Sequence, residues 1–413
     1  MRVAALLACP LAAALAPCGG SNVALVTPMV AGSNAVDYGA LRSLLEWHVE
    51  CGTAGVVALG TTGEASTLSG EERDGVLRTA VDVCGGVVPV VAGTGTIDTK
   101  GAIAMGRRAA ELGADGTLVV TPYYVKPPQA ALVAHFAAIA DAVDLPMILY
   151  NVPGRTGVDL LPATVAELAR HDRIVGIKEA TGDNGRVAVL RERCGDDFLL
   201  YSGEDAMGRE FVALGGDGVI SVTANVAPRD MQTMLANPNK SSSIKIDAKL
   251  RALHEKLFVQ ANPIPVKWAL AKMGRMQGGI RSPLAPLGID FHGRVEAALS
   301  NAKLIAGAAG ASSSFGWPSR QLLLQGHLFD QGLINQALEI IEKRGGDFEI
   351  VSFSATPNDQ RTEFNFRRTS SITLKIFGVD GAALDDITAR LQSLVDVLES
   401  AEGVLTTIPE PAA

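Results

Sequence analysis

Lys178 closes an apolar run, Ile174–Lys178 (IVGIK), and leads into Glu179-Ala180-Thr181-Gly182. Lysine is rarely buried unless something uses it. Withdrawal from water disfavours an ammonium, and a neutral amine attacks carbonyl carbon. The competing reading has the stem lying on apolar surface and the charge reaching solvent. Tyr150 closes another run, Met147–Tyr150, and precedes Asn151-Val152-Pro153-Gly154-Arg155-Thr156-Gly157. A phenol beside the amine can pass protons during imine formation and hydrolysis; the alternative is a core aromatic with a satisfied hydroxyl. Arg155 sits in the Gly/Pro loop, where a guanidinium suits bidentate capture of a carboxylate or, more blandly, a surface ion pair. Thr61 and Thr62 lie in Gly60-Thr61-Thr62-Gly63-Glu64. Their hydroxyls and exposed N–H groups can hold a second carboxylate, and the glycines let backbone approach a ligand. The set describes carbonyl chemistry through an imine on a substrate bearing carboxylates.

Something must bring these loops to one place. Eight short apolar, often β-branched runs recur between Asn22 and Val222: Val23–Thr27, Gly55–Leu59, Val88–Ala92, Thr117–Thr121, Met147–Tyr150, Ile174–Lys178, Phe198–Tyr201 and Gly218–Val222. Near-continuous apolarity predicts strands buried on both faces. Segments such as Asp37–Glu50, Gly70–Val83, Thr99–Leu112 and Leu132–Val143 carry apolar residues at helical spacing. Eightfold strand–helix alternation predicts an α/β fold of the TIM (β/α)8 barrel type, whose active site lies at the C-terminal strand ends, where these groups fall. A doubly wound sheet ranks second, because no GxGxxG follows the first strand. Helical stretches near Ile244–Val259, Pro265–Lys272 and Gly293–Ile305 form a C-terminal helical appendage.

Beyond residue 305 the pattern changes. The small-residue run Ala306–Ser314 opens a linker spanning 306–319. Strand-like Gln321–Gln325, a helix over Leu333–Lys343, strands at Phe348–Phe353 and Ser371–Phe377, a helix over Ala382–Leu398 and a last strand at Gly403–Thr407 follow. That β-α-β-β-α-β order predicts a small α+β ferredoxin-like domain over 320–413. The catalytic domain is expected over 22–305. Residues 1–21 pair one arginine with an Ala/Leu run and a small-residue end, which reads as a targeting segment, against the alternative of a helical extension. Its destination would be a plastid; without such a signal the chain is cytoplasmic.

The chain has 413 residues, a net charge of −8 and 47% hydrophobic residues. The acidic balance argues against a nucleic-acid partner, and no run after the first segment is long and apolar enough to span a membrane. Five cysteines at wide spacing predict neither a disulfide framework nor a metal site.

GTTGE, TPYY (Thr121–Tyr124), YNVPGRTG and GIKEATG match, in order and spacing, the motifs of the dihydrodipicolinate synthase / N-acetylneuraminate lyase family. SGEDA (Ser202–Ala206), GVISVTANV (Gly218–Val226) and NPIPVKW (Asn262–Trp268) extend the resemblance from about Asn22 to Ile305. GTTG and Arg155 favour its synthase branch. The resemblance implies a Schiff base between Lys178 and pyruvate, with Tyr150 shuttling protons through Thr62 to Tyr124 of a neighbouring subunit. It places Thr61 and Thr62 on the pyruvate carboxylate, the Ile220 backbone beside the pyruvate site, and Arg155 on the carboxylate of L-aspartate 4-semialdehyde. It implies no metal or organic cofactor, a homo-oligomer of two or four chains, and the diaminopimelate route of lysine biosynthesis. Another pyruvate-dependent aldolase of the family, or a catalytically silent barrel, are the alternatives. Gly326–Phe353 resembles the region shared by bifunctional lysine-ketoglutarate reductase/saccharopine dehydrogenase proteins. No catalytic role transfers with that likeness, and the lone His327 reads as structural.

Overall fold

A computed structural model describes residues 19–305, 318–326, 336–338, 340–341, 344, 347–354, 370–377, 380–397 and 404–408. The chain divides into two compact units, Met1–Ala306 and Gly307–Ala413.

The first unit is a closed parallel barrel in sequential order, β1 (Gly20–Ala24), β2 (Gly55–Ala58), β3 (Val90–Gly93), β4 (Gly116–Val120), β5 (Met147–Asn151), β6 (Ile174–Glu179), β7 (Leu199–Ser202) and β8 (Gly218–Ser221). Closure runs through β1 and β8, with Gly20 opposite Gly218 and Val23 opposite Ser221. A Cβ on Gly218 would lie 2.4 Å from the Gly20 carbonyl oxygen, so the seam requires glycine. The two faces of each strand feed different cores. Ala24, Val57, Val91, Leu118, Ile148, Tyr150, Val175, Tyr201 and Ile220 fill the barrel interior. Outward residues such as Val119, Leu149, Ile177 and Leu200 pack against the surrounding helices. This two-sided burial explains why the strands read as unbroken apolar runs rather than alternating ones.

One boundary differs from the sequence expectation. The first strand is Gly20–Ala24, not Val23–Thr27, so Gly20 and Ser21 of the supposed targeting segment belong to the barrel. Small and polar residues enter this strand because backbone pairing and side-chain bonding hold them; the Ser21 N–H donates to Gln232 Oε1 at 2.8 Å. The remainder of that segment, residues 1–18, lies outside the described residues. Among the described residues no helix is long and apolar enough to cross a membrane.

The helices Ser241–Lys256, Ile264–Lys272 and Ile289–Asn301 form the expected appendage. Leu250, Leu253, Val266, Ala269, Leu270, Val295 and Leu299 are fully buried in the core they share with the first strands.

In the second unit, β9 (Ser319–Gly326), β10 (Asp347–Ser354), β11 (Ser370–Phe377) and β12 (Val404–Ile408) make an antiparallel sheet of order β10-β11-β9-β12. Residues 336–338 and 340–341 are helical between β9 and β10, and the helix Gly381–Val397 precedes β12. This is the ferredoxin-like arrangement. Leu322, Leu324, Ile372, Leu374 and Ile376 on one sheet face meet Ala337, Ile341, Leu384, Ile387 and Leu391. His327 and most of the linker lie outside the described residues.

Candidate active site

The register of the barrel sets the centre of the site. Tyr150 on β5 is paired with Lys178 on β6, and Lys178 with Tyr201 on β7. Residues in register on neighbouring strands point to the same face, so Lys178 joins Tyr150 and Tyr201 inside the barrel. Lys178 is 7% exposed, and its Nζ lies 4.3 Å from the Tyr150 ring centroid. The burial of the lysine inside the barrel answers the snorkelling alternative. A Cβ at Gly203 would come within 3.1 Å of Lys178 Cε and 2.5 Å of Ala180 Cβ. The glycine of SGEDA therefore makes room for the lysine stem.

Directly behind Lys178, on the outward face, a polar network fixes the strand ends. Asn151 Nδ2 donates to Asp159 Oδ1 at 2.8 Å and to Glu179 Oε2 at 3.2 Å. Arg186 donates two bonds to Asp159, at 2.9 and 2.5 Å, and lies 3.5 Å from Glu179. Burial pushes the Glu179 carboxyl up, while bonds from Asn151 and Thr181 and the charge of Arg186 oppose it. The network ties β5 to β6 at the residues beside Tyr150 and Lys178. Asn151 and Glu179 stood in quoted motifs, but nothing in the sequence paired them.

The GTTGE loop closes another side. Thr62 is buried, and its Oγ1 accepts a bond from Asn262 Nδ2 at 2.9 Å; Thr61 is exposed. The strained end of the loop, Glu64 at φ 52°, is anchored by a buried ion pair between Glu64 and Lys267, and Glu64 also accepts from the Arg281 N–H at 3.1 Å. NPIPVKW thus supplies both Asn262 and Lys267 to the loop. No hydrogen bond joins Thr62 to Tyr150 among the described residues.

Arg155 is exposed on the short helix Pro153–Thr156, which ends at Gly157 with φ 72°. It and Lys178 act on a common neighbour, Glu204. Burial pushes this carboxyl up, adjacent Asp205 adds to the rise, and the charges of Lys178 and Arg155 oppose it. Glu204 is half-buried and was assigned no role by sequence; its place in SGEDA was the available signal. Ile220, 2% exposed, lies in the barrel interior with Tyr150. Tyr124 stands apart: it is 87% exposed at φ 69°, flanked by Tyr123 and Val125 at 39% and 56%. Among the described residues no group of three or more His, Cys, Asp or Glu side chains is placed to hold a metal ion.

The closed parallel eight-stranded barrel, with Lys178 buried at the C-terminal end of its sixth strand, puts the first unit in the TIM-barrel class. The model of the dihydrodipicolinate synthetase family matches residues 17–302, and the chain belongs to that family. The model of the LOR/SDH bifunctional enzyme conserved region matches residues 319–410. The 4-hydroxy-tetrahydrodipicolinate synthase of Alcanivorax borkumensis is 56% identical over 272 residues, covering 65% of this chain and 92% of the relative. A crystal structure of chloride-inhibited dihydrodipicolinate synthase from Acinetobacter baumannii, complexed with pyruvate, is 47% identical with a TM-score of 0.68, covering 70% of this chain and 100% of that one. A monomeric dihydrodipicolinate synthase variant is 37% identical with a TM-score of 0.68, covering 70% and 99%.

Proposed function

We propose that the barrel condenses pyruvate with L-aspartate 4-semialdehyde, as a 4-hydroxy-tetrahydrodipicolinate synthase, through a Schiff base on Lys178. The observation that carries this reading is the buried Lys178 amine set against the Tyr150 ring on the neighbouring strand. Lys178 Nζ attacks the ketone carbon of pyruvate, and water leaves as the imine forms, with Tyr150 moving the protons. The protonated imine draws electrons from the methyl carbon, which loses a proton to give the enamine, so no metal or organic cofactor is called for. The enamine carbon attacks the aldehyde of the second substrate. The amino group of that substrate then displaces Lys178 from the imine carbon, closing the ring and freeing the enzyme. One water is lost overall.

Thr61 and Thr62 hold the pyruvate carboxylate, with the Ile220 backbone beside it, and Arg155 receives the carboxylate of the semialdehyde at the rim. The exposure of Arg155 suits a group that captures the second substrate as it enters. Tyr124 completes the relay in the site of a neighbouring subunit. Its exposure among Tyr123 and Val125 supports an interface, since contiguous exposed aromatics mark contact surfaces, and the assembly is at least a dimer.

Incubation with pyruvate and borohydride followed by peptide mapping tests the proposal. The expected result is a stable adduct on Lys178 alone, abolished in Lys178→Ala. Active enzyme with no adduct, or an adduct on another lysine, overturns it. A trapped adduct without turnover of aspartate semialdehyde reassigns the barrel to another pyruvate aldolase of the family.

A further inference from the structure

The SGEDA segment at the C-terminal end of β7 carries two adjacent acids that are used differently. Asp205 is 2% exposed, and its Oδ2 accepts the Val222 and Thr223 N–H groups at 3.0 and 2.8 Å, so it holds the end of β8. Glu204 is fixed through its backbone: its N–H donates to Ser202 Oγ and its carbonyl accepts from that hydroxyl, both at 3.1 Å. It precedes the helix Asp205–Ala213 without capping it, and among the described residues no hydrogen bond or ion pair reaches its carboxylate. The carboxylate is half-buried even so, and the charges that act on it are those of Asp205, Lys178 and Arg155. Gly203 beside it lies so close to the lysine that a Cβ there would stand 3.1 Å from Lys178 Cε. A carboxylate withdrawn from water normally has a partner. Here that partner is left to come from a ligand.

We propose that Glu204 receives the ammonium group of the aldehyde substrate, so that the site reads an α-amino acid and not any small aldehyde bearing a carboxylate. The inference rests on the reaction proposed above, in which L-aspartate 4-semialdehyde is the second substrate. That reaction brings three charged groups to the site. Two are carboxylates, whose receptors are already named in Thr61, Thr62 and Arg155. The third is the ammonium, the one cation that either substrate carries, and none of those receptors suits it. An α-amino acid bears its carboxylate and its ammonium on one carbon, so reading both takes a cation and an anion close together. Arg155 and Glu204 are such a pair. The guanidinium is near enough to act on the carboxylate, yet no hydrogen bond joins the two that a substrate would first have to break. Lys178 acts on the same carboxylate, which sets both receptors around the amine that carries the enamine. A site built to bond a substrate N–H disfavours the analogue that lacks it, because its own polar group is then left unpaired.

The experiment compares the full chain with Glu204→Gln and Arg155→Ala, using two ligands that differ only in the amino group. One is L-aspartate 4-semialdehyde, read by its KM. The other is 4-oxobutanoate, the same aldehyde and carboxylate without the amine, read by its Ki as a competitor of the semialdehyde. Glu204→Gln should raise the KM at least about tenfold, the scale of a hydrogen bond to a charged group, and leave the Ki nearly unchanged. Arg155→Ala should raise both, since both ligands carry the carboxylate. Borohydride trapping with pyruvate runs beside each measurement, and the Lys178 adduct of Glu204→Gln, formed at a rate comparable to the parent's, shows that the variant is folded. Equal rises in KM and Ki, or a rise in neither, overturns the proposal. Adduct formation that falls as far as the use of the semialdehyde shows that the carboxylate serves Lys178 instead, and overturns it too. Absence of the Lys178 adduct in the parent chain is the separate mark of a wrong reaction, and removes the proposed condensation along with this inference.

Discussion

Asn262 Nδ2 donates to Thr62 Oγ1 at 2.9 Å, across 200 residues of sequence. The direction of this bond has a chemical consequence. Because the threonine oxygen accepts from Asn262, its own O–H is left to donate elsewhere, towards the carboxylate it is proposed to hold or the phenol of Tyr150. Asn262→Asp reverses this, since a carboxylate accepts the Thr62 proton, whereas Asn262→Ala merely releases the hydroxyl. A hydrogen bond to a charged group contributes roughly 1.5–3 kcal/mol. We therefore expect kcat/KM to fall at least about tenfold further in Asn262→Asp than in Asn262→Ala. Steady-state kinetics beside borohydride trapping rates would show it, and an Asp variant no worse than Ala would reject the orientation.

The buried ion pair between Glu64 and Lys267 makes a separate prediction about stability. Both side chains are nearly inaccessible, and burial pushes the Lys267 ammonium down while Glu64 opposes the shift. Removing one member leaves the other charged, buried and unpaired, a loss of about 3–5 kcal/mol. Lys267→Met should show that loss in urea denaturation, and adding Glu64→Gln should restore part of it. A double variant less stable than Lys267→Met alone would show that the charge is not what the lysine neutralises.

These two contacts also mark the limit of what was legible in the sequence. The strands were, because parallel barrel strands buried on both faces leave β-branched apolar runs. So was the adjacency of Tyr150 and Lys178, because both end consecutive strands of a barrel. The second unit was readable for the same reason: its strand and helix order leaves few topologies. Asn262 and Lys267 were visible only as part of a motif. Their partners lie about two hundred positions away, and only the closing of the barrel against the helix Ile264–Lys272 shows that they grip the GTTGE loop. The start of β1 was misplaced because Gly20, Ser21 and Asn22 are held by pairing and side-chain bonds, not apolarity. Glu204 escaped because one acid within SGEDA carries no periodic signal.

Acid should unfold the barrel partly through His48. This imidazole is fully buried, with Nδ1 2.9 Å from Thr53 Oγ1, and burial pushes it down to about 3. The folded chain keeps His48 neutral, while the unfolded chain binds a proton below about 6.5. Its contribution is therefore present above pH 6.5 and lost as pH falls, at about 1.4 kcal/mol per unit until the folded group titrates. Burial pushes His135 and His254 in the same direction, so removing one histidine removes one share of the slope. Denaturation of the parent and His48→Gln between pH 4 and 6.5 should give slopes differing by about that amount; parallel slopes would remove His48 from the account.

The C-terminal unit should be dispensable for the chemistry. Every residue placed at the site lies between Thr61 and Arg281, and the first compact unit ends at Ala306. Leu304 and Ile305 still pack against the barrel core, so a chain stopped after Ile305 keeps its last helix and its cover. The Alcanivorax borkumensis relative matches over 92% of its own length while covering only 65% of this chain. A barrel of that extent accounts for nearly all of that relative. We expect the shortened chain to keep kcat/KM for both substrates within about twofold, on the scale of the roughly 0.3–0.5 kcal/mol to which independent parts of a protein add. Circular dichroism and the Lys178 adduct would establish that the shortened barrel is folded and competent. A folded, adduct-forming barrel that fails to condense aspartate semialdehyde would show that the second unit contributes to the reaction itself.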